Sequence, residues 1–276
     1  MAFDSQNRII CPVCLEPAGE PISIFYGRLV CCQCGCVFPD RSRSKSDISD
    51  IKTRYTVKDF KSGQKEYWNN YIKRLRGSVF RQQGDDRFKV VFHFGPISTG
   101  LSQEFEANGW RMISLLHSTR PLHQQYSGPV RTKIYNNNLF LRDLYTMELV
   151  GCADLAICHP EGNWIDMPRK IKEIVLLVLT TGGLFSLVVP RAFSYASEGD
   201  FIAAKEETSY PEEILYTEEA VRRLLWPEFK IVSQKKFFLE KRLIDKSPMF
   251  VKDDPRLAQT QQEILATHLH IEAVKI

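Results

Sequence analysis

Between residues 88 and 190, short apolar runs rich in β-branched and aromatic residues alternate with stretches whose apolar positions recur every three or four residues. The runs FKVVFHFG (Phe88–Gly95), WRMISLL (Trp110–Leu116), ADLAICH (Ala153–His159) and LFSLVVP (Leu184–Pro190) predict strands. Leu101–Asn108 and the stretch MPRKIKEIVLLVLTTGG predict helices, the second ended by its glycines. Strands alternating with helices imply a mostly parallel sheet covered on both faces. Farther on, Thr217 with Glu218 and Glu219 behind it predicts a capped helix start, and FKIVSQKKFFLEKRLI (Phe229–Ile244) predicts a closing pair of strands. The expectation is an α/β domain over residues 61–250, an open sheet finished by an antiparallel hairpin.

The flanks are patterned differently. Within Lys61–Arg81, Tyr67, Tyr71, Ile72 and Leu75 fall at helical spacing, which predicts an amphipathic helix whose Lys73, Arg74 and Arg76 form a solvated face. Ahead of it, DRSRSKSDISDIKTRYT is polar and without apolar period, so residues 40–60 are expected to be a linker. In the tail, 251–276, Leu257, Ile264 and Ile271 recur seven apart with Leu265 and Leu269 beside them, which predicts a C-terminal amphipathic helix packed on its own core. His268 and His270 would then point to different helix faces and make a poor metal pair.

The chain of 276 residues is long enough for one large core with a small appendage. Hydrophobic residues at 43% and charged residues at 25% are the ordinary globular balance, which excludes a fibrous repeat. A net charge of +4 is too mild to imply nucleic acid by itself. The first residues carry no long apolar core and the most apolar run is too short to span a bilayer, so neither a secretory leader nor a membrane partner is expected. A cytoplasmic setting keeps thiols reduced, and that changes how the cysteines are read.

Six of the eight cysteines lie between Cys11 and Cys36. Cys11 and Cys14 form one C-x-x-C pair, and Cys31 and Cys34 form a second after sixteen intervening residues. Each pair can sit in a tight turn that directs both sulfurs to one side, and two such turns complete the tetrahedral thiolate cage of a structural zinc. Pro12 and Gly35 suit those turns, and the strands Ile22–Tyr26 and Arg28–Val30 around Gly27 give residues 1–39 the outline of a zinc ribbon. Cys32 or Cys36 paired with Cys34 would make a shorter C-x-C alternative. Four cysteine ligands leave no open position, so such a site is structural.

The segment Ala153–Phe193, with its Thr181-Gly182-Gly183 turn, resembles strand four, the following helix and strand five of the class I S-adenosylmethionine-dependent methyltransferases, in the branch that carries an N-terminal zinc ribbon. Ser209–Phe237 resembles the late helix and sixth strand of that family, and Tyr67-Trp68 its segment before the first strand. The resemblance implies a Rossmann-like sheet with the cofactor across the carboxyl ends of its first strands. It makes Gly95 and Gly100 the cofactor-binding glycines of the first loop. The opening acid of that loop falls on His93, the next glycine on Ile97, and the last on Thr99 or, with one shift, Gly100. The acid that ends the second strand falls among Leu115, Leu116 and His117. His159, Pro160 and Glu161 read as a polar loop, and Asn136, Asn137 and Asn138 as turn residues. No catalytic residue stands out. These departures imply a methyltransferase-like protein that kept the fold, lost catalysis and serves as an interaction module among other protein subunits. The alternative is an active S-adenosylmethionine-dependent methyltransferase with an altered loop, and a third is nucleic-acid binding through the ribbon and Arg41–Lys65.

Overall fold

The computed structural model of the chain describes residues 9–17, 22–24, 28–39, 71, 73, 89–94, 99–116, 133–136, 149–158, 168–192, 214–237 and 268–276. The chain divides into two compact units. One gathers Met1–Gln64, Val189–Leu224 and Gln234–His270, and the other gathers Lys65–Val188, Leu225–Ser233 and Ile271–Ile276. The expected linker, 40–60, lies outside the described residues, as does the 61–81 helix apart from Tyr71 and Lys73, which are helical.

The first unit begins with a three-stranded antiparallel sheet of β1 (Ile22–Ile24), β2 (Arg28–Val30) and β3 (Val37–Pro39). β1 and β2 are the two strands expected around Gly27. β3 is an addition, pairing Val30 with Val37. Val37 and Phe38 are buried. Val37 also exchanges both backbone hydrogen bonds with Leu215, at 2.9 and 2.8 Å, an isolated bridge that ties the ribbon to residues far along the chain.

The larger sheet contains β4 (Val90–Phe94), β5 (Arg111–Leu116), β6 (Lys133–Asn136), β7 (Ala153–Cys158), β8 (Leu179–Pro190), β9 (Phe229–Phe237) and β10 (His268–Lys275). Their order is β6-β5-β4-β7-β8-β10-β9. Counted among themselves, the seven run 3-2-1-4-5-7-6, and the first five follow the Rossmann order. β4 is parallel to β5 and β7, β5 to β6, and β7 to β8. The fold is therefore α/β with a Rossmann-like, methyltransferase-type sheet, as expected. Asn136, expected in a turn, is the last residue of β6 and pairs with Leu116.

Burial on both faces explains the continuous apolar runs. In β4, Val91 and His93 face one side and Phe92 and Phe94 the other, all at 1% exposure or less. The Val91 side packs with Tyr71, Met112, Leu155 and Ile157 against Leu101 and Phe105 of helix α1 (Thr99–Ala107). α1 ends in a Schellman motif. Trp110 N–H donates to Phe105 O, Gly109 N–H donates to Glu106 O, and Gly109 takes the left-handed φ of 79° that the motif needs. Trp110 then turns back with its ring edge on Phe105, centroids 5.6 Å apart.

Three expectations are corrected. The helix written for MPRKIKEIVLLVLTTGG is α2 (Pro168–Val178) and stops before the glycines. Leu179 already pairs with Ala153, and the register resumes at Leu184 with Leu155, so Thr180–Gly183 forms a bulge within β8. Gly183 is needed there because a Cβ would lie 2.9 Å from the Thr180 carbonyl oxygen. Within the stretch expected to hold the closing strand pair, no turn falls among the described residues 229–237. Phe229–Phe237 is one strand, its neighbour is β10 from the C-terminus, and residues 238–244 lie outside the described residues. The tail is accordingly a strand over His268–Lys275 and not a helix; residues 251–267 lie outside the described residues. β10 inserts between β8 and β9, where Leu269, His270, Ile271 and Ala273 are buried, and flanking strands satisfy its backbone as a helix would have done internally. His268 and His270 consequently share one face of a strand, contrary to the helical expectation.

Candidate metal centre and the carboxyl end of the sheet

The cysteine turns are near copies of one another. In the first, Leu15 N–H donates to Cys11 O and Cys11 N–H donates to Glu16 O; in the second, Gly35 N–H donates to Cys31 O and Cys31 N–H donates to Cys36 O. The fifth residue of each turn is left-handed, with φ 63° at Leu15 and 71° at Gly35. This shared geometry selects Cys11, Cys14, Cys31 and Cys34 as the matching positions. Their sulfurs all lie within 4.8 Å of one another. Cys11 Sγ is 3.8 Å from Cys34 Sγ, and Cys14 Sγ is 3.7 Å from Cys31 Sγ.

That spacing can be compared with a metal's requirement. Zinc–sulfur bonds of about 2.3 Å in a tetrahedron hold sulfurs about 3.8 Å apart. The four thiols fit zinc. The Val13 N–H also points at Cys11 Sγ from 3.4 Å, a donor that favours thiolate. The C-x-C alternatives fit less well. Cys32 is exposed, and Cys36 is buried with its sulfur 3.2 Å from Cys11 Sγ, at the position in its turn that Glu16 holds in the first.

Sulfurs this close titrate unequally. Hydrogen bonds with Cys11 and Cys36 draw Cys34 down to about 5, whereas burial pushes Cys14 up to about 12. Cys36 is raised above the ordinary thiol value, first by its hydrogen bond with Cys11. A coordinated cation stabilises all four as thiolates. Arg223, held high first by its bond to Glu219, also feels the negative Cys14 and Cys34 sulfurs.

The second turn is bound to helix α3 (Glu218–Leu225). Thr217 caps that helix as expected, its Oγ1 accepting the Ala220 N–H at 3.0 Å. The same hydroxyl donates to the Cys34 carbonyl oxygen. The N-cap is readable from the sequence. Its second bond is not, because 183 residues separate the partners.

In the sheet, strand order reverses between β4 and β7, so the crevice of a doubly wound fold opens at their carboxyl ends. Phe94 and Cys158 face each other there in register, and both are buried. Burial also pushes the Cys158 thiol up to about 12, so it is no nucleophile at neutral pH. One residue below, Ser114, His93, Ile157 and Ser186 form a row across four strands. His93, at the position of the family's opening acid, is buried with Nδ1 3.4 Å from Ser114 Oγ. Tyr71 OH donates to Ser186 Oγ at 3.1 Å. Sequence patterning does not reveal this polar row, because strands buried on both faces carry no alternation that singles it out. Near the end of β5, in the stretch Leu115–His117 expected to match the family's ribose-binding acid, Leu115 is fully buried.

The remaining sequence candidates are less defined. Gly100 is the second residue of α1. Gly95, Ile97, His117, Asn137, Asn138, His159, Pro160 and Glu161 lie outside the described residues, and so does the basic stretch 41–65. No helix among the described residues is long and apolar enough to cross a membrane.

No family model and no curated protein matches the chain. Solved structures similar to it include an S-adenosylmethionine-dependent methyltransferase from Mesorhizobium loti, at 14% identity over 71% of this chain and 96% of that one, with a TM-score of 0.44. Another is the corresponding type of enzyme from Archaeoglobus fulgidus, at 13% identity over 75% and 94%, with a TM-score of 0.46. A third belongs to a complex of the Haloferax volcanii Trm112 methyltransferase activator with a methyltransferase, at 13% identity over 78% and 95%, with a TM-score of 0.49. At such values the fold assignment rests on this chain's own strand order, which is that of a Rossmann-like sheet carrying two further strands at its β8 edge.

Proposed function

We propose that this chain is a methyltransferase-fold protein without methyltransferase activity, stiffened by a structural zinc on Cys11, Cys14, Cys31 and Cys34, and used as an interaction module among other protein subunits. The observation that carries the loss of catalysis is at the sheet's carboxyl end. A ribose needs a carboxylate at the second strand's tip, and Leu115, Leu116 and His117 supply none there, with Leu115 buried. His93 takes the place of the first acid and is engaged inside the sheet by Ser114. The glycine turn at 182–183 does not argue for a cofactor, because the Thr180 carbonyl already requires Gly183.

Four cysteine sulfurs close the zinc coordination shell, so no position remains for water or substrate and the metal's contribution is to folding. The test of lost catalysis is calorimetric titration of the zinc-loaded protein with S-adenosylmethionine and with S-adenosylhomocysteine. No heat of binding is expected with either. Micromolar affinity for either would overturn the reading in favour of an active methyltransferase with an altered first loop, at Gly95 and Gly100.

A further inference from the structure

The second cysteine turn and the start of α3 share atoms. Cys34 places its sulfur in the cage while its carbonyl oxygen accepts the Thr217 hydroxyl. One hydroxyl has a single proton and two lone pairs, so Thr217 can make this bond and accept the Ala220 N–H together. Gly35 closes the contact from the other side, since a Cβ built there would lie 3.1 Å from Thr217 Cγ2. Two residues later Val37 exchanges both backbone bonds with Leu215, and next to Leu215 the buried Tyr216 bonds through its N–H to Pro190 O and through its carbonyl to Ala192 N–H. Leu215 and Tyr216 thus bridge the ribbon on one side and 190–192 on the other. If the turn opened, the backbone groups of Leu215 and the hydroxyl of Thr217 would lose their partners together.

We propose that the turn Cys31–Gly35 and the N-terminus of α3 are one cooperative element joined through Thr217, so that metal occupancy sets the order of α3 and Thr217 sets how tightly metal is held. This rests on the reading that the four thiols hold a metal. Coupling of this kind is reciprocal, so each half can be tested from the other.

The experiment uses the full chain, with zinc content measured on the purified protein before amide exchange is compared in the zinc-loaded and chelator-stripped forms. Stripping is expected to speed exchange at least tenfold at the Leu215, Ala220 and Val221 amides while amides in β4, β5 and β7 keep their protection. In a chelator competition Thr217→Val is expected to hold zinc about fivefold less tightly, the equivalent of the roughly 1 kcal/mol of one N-cap, and Thr217→Ser to restore it. Unchanged exchange at Leu215, Ala220 and Val221 on stripping would overturn the proposal, as would protection lost equally from the large sheet, since the effect would then be global. Equal zinc retention by Thr217→Val and the parent would also overturn it. A protein that purifies without metal and takes up none would overturn the metal reading as well. None of these outcomes touches the S-adenosylmethionine titration, so the two readings fail separately.

Discussion

Replacing Gly35 by Ala and Leu15 by Gly tests whether the two cysteine turns are held as described. Both positions are left-handed, with φ 71° and 63°, but one carries glycine and the other leucine. A side chain in that region costs roughly 1–2 kcal/mol. At Gly35 the new methyl group must also be fitted 3.1 Å from Thr217 Cγ2. Because the turn must form before it binds metal, the cost appears in the affinity, and 1–2 kcal/mol corresponds to zinc held about 5- to 30-fold less tightly. Leu15→Gly relieves the same strain. Against that relief stand about 0.5–1 kcal/mol of glycine entropy and the loss of the covered part of a side chain that is 55% exposed. The expected net change is within about threefold of the parent. The assay is competition for zinc with a chromophoric chelator at fixed pH, with thermal unfolding of the large sheet followed in parallel. Gly35→Ala retaining zinc as well as the parent, or Leu15→Gly losing more than Gly35→Ala, would refute the reasoning.

Three other perturbations probe the remaining structure. Lys275 Nζ donates to the Leu176 and Leu179 carbonyl oxygens at 2.6 and 2.7 Å, satisfying the end of α2; Lys275→Met should lower unfolding stability by about 1–2 kcal/mol in denaturant titration. Gly183→Ala puts its Cβ within 2.9 Å of the Thr180 carbonyl oxygen and should destabilise the chain, whereas Gly151→Ser, with nothing within 4 Å of its Cβ, meets only the cost of its positive φ; comparison of their melting temperatures decides. Bonds to Arg223 and then Arg222 hold Glu219 below the ordinary carboxylate value, so its contribution is full above about pH 4.3 and is lost as pH falls through the lowered folded value. Both partners are largely solvated, so the acid-side slope in stability is shallow, and Glu219→Gln should flatten it further.

Local spacing was enough to read the cysteine turns, because a C-x-x-C turn is closed by its own backbone hydrogen bonds. The cap at Thr217 and four strands of the sheet were legible for similar reasons: each depends on neighbours within a few residues or on burial that marks the strand itself. The strand boundaries expected for β4, β5 and β7 shifted by only one or two residues. What failed was every feature decided by a distant partner. The tail's seven-residue spacing suits a helix, but Leu269, Ile271 and Ala273 equally suit one face of a strand, and a vacancy between β8 and β9 chose the strand. The helix α2 ended at Val178 because Leu179 pairs with Ala153, ahead of the glycines that mark an end by composition.

The candidate site divides in the same way. The sequence by itself narrowed the cage to two C-x-x-C pairs with Cys32 and Cys36 as alternatives, and it put His93 and the stretch Leu115–His117 where the resembled family has acids. Only the tertiary structure decided that the Cys36 sulfur meets that of Cys11, that His93 meets Ser114 inside the sheet, and that Thr217 joins the second turn to α3. The physical reason is reach. A turn or a cap is stabilised by atoms a few bonds away in the chain, whereas strand order and the contacts between turn and helix exist only after distant segments have been brought together by burial of their apolar faces.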